Sequence, residues 1–337
     1  MLNETPLYCP ECDEGFDLPE VRSRRSFLSA IGASAAVLAA GGVARGDEKP
    51  TTKLSTKPAE GLVKELFATL SEDQQKNLVM PFNHGGDATP TRLKTFNAPI
   101  GGKRIADNYT KAQQDLCRQI LVSILSGEDA FKRLSRHGEW DSSESFEGCG
   151  MHLFGEPDSK FAMVFAGHHI TLRCDGDSEP KAAFGGPIYY GHSEPGYSTA
   201  NVYNYQTRAV QEVFDALNEE QRKTAMATKP AGDGQGALRP LKPRHGIAFK
   251  DLEGDQKELV EKVMRSLLGP FRHEDVEEVM QIVKAGGGMD EINLAFYKDK
   301  EVDGKVQWSF WRLEGPGFVW NYRPLPHVHC FVSVQNA

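Results

Sequence analysis

Leu66-Phe67-Ala68-Thr69-Leu70-Ser71-Glu72-Asp73-Gln74 and Val213-Phe214-Asp215-Ala216-Leu217-Asn218-Glu219-Glu220-Gln221 carry one pattern twice, 147 positions apart. Each is the end of an apolar-striped helix, an N-cap at Ser71 or Asn218, and acidic residues in the first turn of a second helix. Ser and Asn suit the cap because a short polar side chain accepts a backbone N–H that the new helix leaves unsatisfied. Downstream, Gln113, Leu116, Ile120 and Leu125 of the segment Gln113–Gly127 fall opposite Gln256, Leu259, Val263 and Leu268 of Gln256–Gly269. The apolar positions recur at helical spacing, so both segments read as amphipathic helices. Just upstream, Arg104-Ile105-Ala106 faces Gly246-Ile247-Ala248.

Strands follow each helical region. Met151-His152-Leu153-Phe154, a Pro157-Asp158 turn and Phe161–Phe165 read as a hairpin; Ile292–Phe296, an Asp303-Gly304 turn and Val306–Leu313 read as another. Both are expected to continue as strand, through Ala166–Leu172 and Glu314–Trp320. A last echo sets Pro187-Ile188-Tyr189-Tyr190-Gly191-His192 against Pro324-Leu325-Pro326-His327-Val328-His329, which superposes His192 on His329. The expected fold class is α+β, with two pseudo-repeated halves, 58–205 and 206–337. Each half is helices followed by an antiparallel sheet hairpin unit. The halves form either one continuous sheet or two lobes.

The 337 residues are 39% hydrophobic and 26% charged, a globular composition with material for one large or two small cores. With 39 basic and 47 acidic residues the formal charge is −8, and no basic run is long enough to track phosphates, so no nucleic-acid partner is expected. Ser23-Arg24-Arg25-Ser26-Phe27-Leu28 is a twin-arginine pattern leading into the small-residue apolar run Leu28–Ala40 and a small-residue exit at Gly42–Gly46. Residues 1–46 are therefore expected to be a twin-arginine signal peptide, and 47–60, rich in Lys, Thr, Pro and Glu, a linker. The expected partner is the twin-arginine export machinery, the location periplasmic or secreted. A membrane is expected only if the signal stays uncleaved, because Leu28–Val43 is short and weakly apolar for a span. Export in the folded state suits a cofactor inserted beforehand. Cys9-Pro-Glu-Cys12 precedes the arginines, in the segment to be removed. Cys117, Cys149, Cys174 and Cys330 show no disulfide framework spacing, and Cys117 sits on an apolar helix face as a free thiol.

The order of these pieces resembles the family of bacterial and fungal proteins called domain of unknown function 3500. The resemblance rests on Leu70-Ser71-Glu72-Asp73-Gln74-Gln75, the Gln113–Gly127 helix, Gly167-His168-His169-Ile170, and Gly191-His192-Ser193-Glu194-Pro195-Gly196. It covers nearly all of 58–337, and the chain departs from it in a long N-terminal region and in His192. It implies a fold and an exported location, and no substrate.

Ten histidines occur, five of them at strands or strand ends: His168, His169, His192, His327 and His329. His327 and His329 point to one face of a strand, since side chains there repeat with period two, so both imidazoles reach one ion. Imidazole suits zinc, copper, iron and nickel. His168 and His169 point to opposite faces on a strand, so one of them joins easily. Where the first half has His168-His169 the second has Pro316-Gly317, which marks the first as the working copy. The five histidines are the candidate metal ligands, with a divalent transition metal (zinc, copper or iron) as cofactor; Glu314 and Glu194 are the candidate catalytic carboxylates. Gly232-Asp233-Gly234-Gln235-Gly236 reads as a flexible loop, and no hydrolase or P-loop motif occurs. The expectation is an exported metal-dependent enzyme, a hydrolase or oxidoreductase with a histidine-rich site between the halves. The alternative is a non-catalytic small-ligand-binding protein of the periplasm. Acid/base or structural roles for the histidines remain open at this level.

Overall fold

A computed structural model describes residues 58–335, apart from 180–181, 229–231 and 303–304. The twin-arginine segment, the Cys9–Cys12 pair and most of the linker lie outside these residues. The first helix, α1, is Ala59–Thr69, so the last two residues assigned to the linker are already helical. α2 (Glu72–Leu78) starts at Ser71, whose side chain accepts the N–H of Gln74 while the Gln74 side chain accepts the N–H of Ser71. A short α3 (Ile105–Asn108) precedes α4 (Lys111–Ser123), which has the same reciprocal cap between Thr110 and Gln113. The Gln74 Nε2 donates to Gln113 Oε1 at 2.8 Å, and Gln113 Nε2 donates to the Thr69 carbonyl at 2.9 Å. Two helix starts and one helix end are thereby tied together.

The arrangement occurs again. After α5 (Glu128–Leu134) and the first strands come α6 (Asn204–Ala216), α7 (Glu219–Ala225) and α8 (Gly254–Leu268). Asn218 and Gln221 cap α7 reciprocally, as Glu253 and Gln256 cap α8. Gln221 Nε2 donates to Gln256 Oε1 at 2.9 Å, and Gln256 Nε2 to the Ala216 carbonyl at 2.8 Å. α9 (His273–Ala285) completes the layer.

The helices cover one face of a mixed sheet of eleven strands. In chain order these are β1 (Val79–Met80), β2 (Gly150–Gly155), β3 (Phe161–Gly167), β4 (Ile170–Cys174), β5 (Ile188–His192), β6 (Met226–Ala227), β7 (Ile247–Ala248), β8 (Asn293–Val302), β9 (Lys305–Gly315), β10 (Phe318–Arg323) and β11 (Val328–Val334). The order in the sheet is β1-β2-β3-β4-β5-β11-β10-β9-β8-β6, with β7 paired to β8. Among the described residues, only β1 on β2 and β6 on β8 are parallel. Residues from both expected halves thus share one continuous sheet, joined by the antiparallel β5·β11 ladder.

Register separates two unlike faces. Toward the helices point Met163, Phe165, Leu172, Ile188, Tyr190, Cys330, Val332, Trp320, Tyr322, Trp311 and Leu313, all in the main core. Trp308, Trp311 and Trp320 are fully buried; Trp308 and Trp311 are three residues apart, and the irregular β8·β9 pairing between them lets both be buried. The opposite face is buried too, yet much of it is polar: His152, Thr171, Arg173, Asn321, Arg323, Arg312 and Glu314. It is covered by irregular chain. Phe82, Phe96 and Ile100 pack on Phe154, Ala162 and Val164, while Ala237 and Leu238 pack on Tyr189 and Phe331. The buried cations fasten these covers. Arg173 Nε donates to the Arg92 carbonyl at 2.7 Å, and its Nη2 to that of Lys94. Arg312 donates to the carbonyls of Ala237 and Arg239 at 2.7 and 2.6 Å.

One expectation changes. Gly167 to Ile170 is not continuous strand. Gly167 pairs with Ile170 and Gly315 with Phe318, so His168-His169 and Pro316-Gly317 are the two-residue tips of tight hairpins. His169 has φ +55° and Gly317 φ +68°, because such a tip needs a left-handed residue. Glycine adopts that backbone freely; a histidine there is strained.

Arg312→Leu leaves Glu314 as an unpaired buried charge and frees two carbonyls. It is expected to cost about 3–5 kcal/mol in urea unfolding, and Arg312→Leu with Glu314→Leu to recover only part of that loss, because the two carbonyls and the Leu241 N–H stay without partners. A single-variant loss below about 1 kcal/mol would remove the fastening role.

Candidate metal centre

The hairpin tip between β3 and β4 places His169 beside β5, and the Gly191 N–H donates to the His169 carbonyl at 2.9 Å. Gly191 pairs on its other side with His329 of β11. A Cβ at Gly191 would overlap the Val328 carbonyl oxygen and lie 3.3 Å from the Cβ and Cγ of His169, so only glycine leaves room here for the hairpin-tip imidazole to approach β11. His327 sits two residues before His329 and joins them. The three Nε2 atoms converge: His169 to His327 at 3.1 Å and His327 to His329 at 2.9 Å. All three residues are buried.

Carboxylates hold the rings from behind. Asp141 Oδ2 is 2.8 Å from His169 Nδ1, and Asp233 Oδ2 is 3.0 Å from His329 Nδ1. A carboxylate only accepts, so both Nδ1 atoms carry the proton and both Nε2 atoms carry a lone pair. Lone pairs from several imidazoles are thus aimed at one another. One proton on His327 Nε2 serves only one of those contacts. Arg323 Nη2 lies 3.3 Å from His327 Nε2 and 3.0 Å from His329 Nε2, and its Nη1 pairs with Asp233.

The surroundings keep the rings neutral. Burial, then the Arg323 guanidinium, pushes His327 down to about 3 and His329 well below its ordinary value. Burial also holds His169 well below, against the opposing pull of Asp141. Burial alone raises Asp141, but the His169 hydrogen bond and the Arg136 guanidinium outweigh it and hold the carboxyl well below the usual range. Arg136 Nε is 3.1 Å from Asp141 Oδ2. The segment that carries both residues is bent into unusual backbone: Arg136, His137, Trp140, Asp141 and Glu144 all have φ between +47° and +64°. Non-glycine residues held there cluster at functional sites.

Of the sequence candidates, His169, His327 and His329 come together, with ligand atoms within 4.8 Å of one another. Asp141, His168 and His169 form a second such group. The His168 ring lies 3.9 Å from that of His169, and its Nδ1 accepts the Ser142 N–H at 3.4 Å. His192 pairs with Val328 rather than His329, so it points to the helical side of the sheet. Its Nδ1 accepts the Val202 N–H at 3.2 Å, and its Nε2 is 4.0 Å from Asp141. Glu194 lies two residues further along the loop, where its carbonyl accepts from Asn201. Glu314 is engaged elsewhere, with Arg312 Nε at 2.5 Å and the Leu241 N–H. It stands two strands and four residues from His329, roughly 16 Å by strand geometry. Asp141, Asp233, Arg323 and Arg136 are additions from the structure. For Asp233 the expected flexible loop is instead the start of a short 3-10 turn, Gly234–Leu238, which Asp233 caps. The four cysteines considered above are buried free thiols.

An α+β sheet protein with a buried cluster of histidines and carboxylates that could hold a metal ion is what the fold and site define. The chain belongs to the family described as protein of unknown function (DUF3500), whose model matches residues 52–334. No curated protein and no solved structure matches it.

The neutral histidines set a pH dependence. As pH falls through the ordinary value of 6.5 the unfolded chain takes protons that His327 in the folded protein refuses until about 3, and His152 until about 4. The unfolded state therefore binds more protons across that window, and stability rises with pH. Melting of chelator-treated protein is expected to occur at progressively lower temperature from pH 6.5 down to 4. A melting temperature that holds or climbs on acidification would overturn the assignment of neutral rings.

Proposed function

We propose that the protein is an exported metal-dependent enzyme, a hydrolase or oxidoreductase, that holds one zinc, copper or iron ion on His169, His327 and His329. The observation that carries this reading is the convergence of three Nε2 atoms with two of the rings fixed at Nδ1 by carboxylates. A metal-ligating histidine usually gives its other N–H to a carboxylate or carbonyl, which orients the ring and raises its basicity. Tetrahedral ligation at 2.0–2.1 Å separates ligand nitrogens by about 3.3 Å, close to the spacings at hand. Three protein ligands are also the usual number for a catalytic rather than a structural ion, which leaves a position open to substrate. A bound ion would supply Lewis-acid or redox chemistry. Asp141 and Asp233 would fix ring orientation, Arg136 would hold Asp141 ionised, and the covering chain would exclude water.

Protein purified after export, or reconstituted with Zn(II), Cu(II) or Fe(II), is expected to carry about one ion per chain. His327→Ala with His329→Ala is expected to abolish stoichiometric metal while the fold persists by circular dichroism. Full metal content in that double variant, or none in the wild type under any loading, would sink the reading.

The same reading includes a duplicated architecture. What supports it is register. The Gly167·Ile170 and Gly315·Phe318 turns lie 148 positions apart, Val79·Leu153 answers Met226·Phe296, and at the middle of the sheet Ile188 pairs with Val332. The bond from Gly191 N–H to the His169 carbonyl is matched by Gln335 N–H to Gly317. These relations set β5 against β11 with an offset of 144, so Gly185, not His192, takes the place of His329. Export rests on the Arg24-Arg25 pair. Arg24→Lys with Arg25→Lys is expected to leave the protein in the cytoplasm on fractionation; undiminished periplasmic delivery would exclude this route.

A further inference from the structure

We infer that a cavity where β4 ends and β5 begins binds a small organic cation, an ammonium or guanidinium group on a short apolar body. The inference stands apart from the metal reading, since no residue of either histidine group lines this cavity. The cavity has a volume of about 210 Å³. Sites for drug-sized ligands run from about 300 Å³ upward, so the ligand here is small. Its walls include Leu172 of β4, Ile188 of β5, Ile124 after α4 and Phe271 before α9, all buried. The ring of Phe184, another wall residue, lies 4.8 Å from that of Phe271. Aromatic walls accept an apolar body and, at their faces, a cation.

The charge around this apolar wall is one-sided. Six carboxylates line the cavity, those of Glu60, Asp175, Asp177, Glu179, Asp275 and Glu278, against the guanidinium groups of Arg173 and Arg272. Arg272 is engaged by Asp275 through two bonds of 3.0 and 2.9 Å, Glu179 pairs with Arg92, and Arg173 donates to the carbonyls of Arg92 and Lys94. Glu60, Asp175, Asp177 and Glu278 have no ion pair among the described residues. Asp175 is only 9% exposed, and its Oδ2 accepts the Glu179 N–H at 2.7 Å. A carboxylate so far from water needs a counter-charge, and the protein supplies none. Burial and the charges of Asp177 and Glu179 raise Asp175 above its ordinary value; burial and the charges of Asp275, Asp177 and Asp175 raise Glu278. These carboxylates repel one another, and a cation between them relieves the repulsion.

A metal ion matches the cavity less well. Among the described residues, the groups of three or more His, Cys, Asp or Glu side chains whose ligand atoms lie within 4.8 Å of one another are the two that share His169. The carboxylates of the cavity are too dispersed to ligate one ion together. An ammonium or guanidinium reaches separated acceptors through several N–H groups, and its carbon body takes the place of water on the apolar wall.

The test titrates the full chain by calorimetry at fixed ionic strength with benzylammonium, with benzyl alcohol as its neutral counterpart and with Ca(II) as a bare cation. Benzylammonium is expected to bind once per chain with a Kd of about 1 mM or lower, and benzyl alcohol about tenfold more weakly or worse. Asp177→Asn with Glu278→Gln changes two exposed carboxylates at the rim, so the fold is expected to persist by circular dichroism while benzylammonium binding weakens about fivefold or more. Benzyl alcohol bound as tightly as benzylammonium would overturn recognition by charge. Undiminished binding in the double variant would overturn the assignment of the cavity. Saturable Ca(II) binding that displaces benzylammonium would put a metal in place of the organic cation. The absence of saturable benzylammonium binding up to about 10 mM would overturn the inference as a whole.

Discussion

The ladder between β5 and β11 is the interaction on which the molecule turns. Ten strands form one path because Ile188 to His192 pairs antiparallel with Val328 to Val332. That pairing joins parts of the chain more than a hundred residues apart, and it alone brings a hairpin tip of β4 to within imidazole reach of β11. One position off its centre the ladder has Gly191, where a side chain would run into His169 and the Val328 carbonyl. A shift of one residue would turn His329 to the helical side and Cys330 toward Asp233. Register here is thus a condition for the cluster as well as for the sheet.

The two faces of the sheet solve burial in different ways. The helical side is packed hydrocarbon and aromatic rings, held by area removed from water. The other side buries arginines, histidines and an asparagine beneath chain that has little regular structure. Backbone carbonyls in such chain need donors once water is excluded. Arg173 and Arg312 supply them, and the price is a guanidinium taken out of water. The polar face is therefore a lining for irregular chain first, and the cluster of imidazoles and carboxylates lies within that lining.

Much of this was readable from the residues. The helix pairs and their caps follow from periodicity and from local rules that packing did not override. His327 and His329 meet as period two suggests, although β11 begins only at Val328 and His327 lies in the bend before it. The choice between His168 and His169 was not readable, since strand periodicity does not apply at a turn tip. Arg312-x-Glu314 carries its own warning: two residues apart on a strand, opposite charges face each other, so the carboxylate was engaged before any substrate arrived. Asp141 and Asp233 left no trace in spacing, because each acts alone and across more than twenty positions. The Gly-rich setting of Asp233 even argued for a loose loop. The Pro-x4-His echo misled for a different reason. It sets His192 against His329, whereas His192 pairs with Val328 and His329 with Gly191, so the sheet turns the two rings to opposite faces.

The covers over the polar face are tied by single bonds from side chains to carbonyls, whereas every central strand is held on both edges by a ladder. Units fastened so differently separate on different timescales: local opening draws on the weakly secured parts while the rest stays protected from hydrogen exchange. The segment that carries Asp233 is one of these parts, so whenever it lifts, one of the two carboxylates that orient the imidazoles leaves with it. Entry to the buried cluster and loss of its orientation are then the same fluctuation.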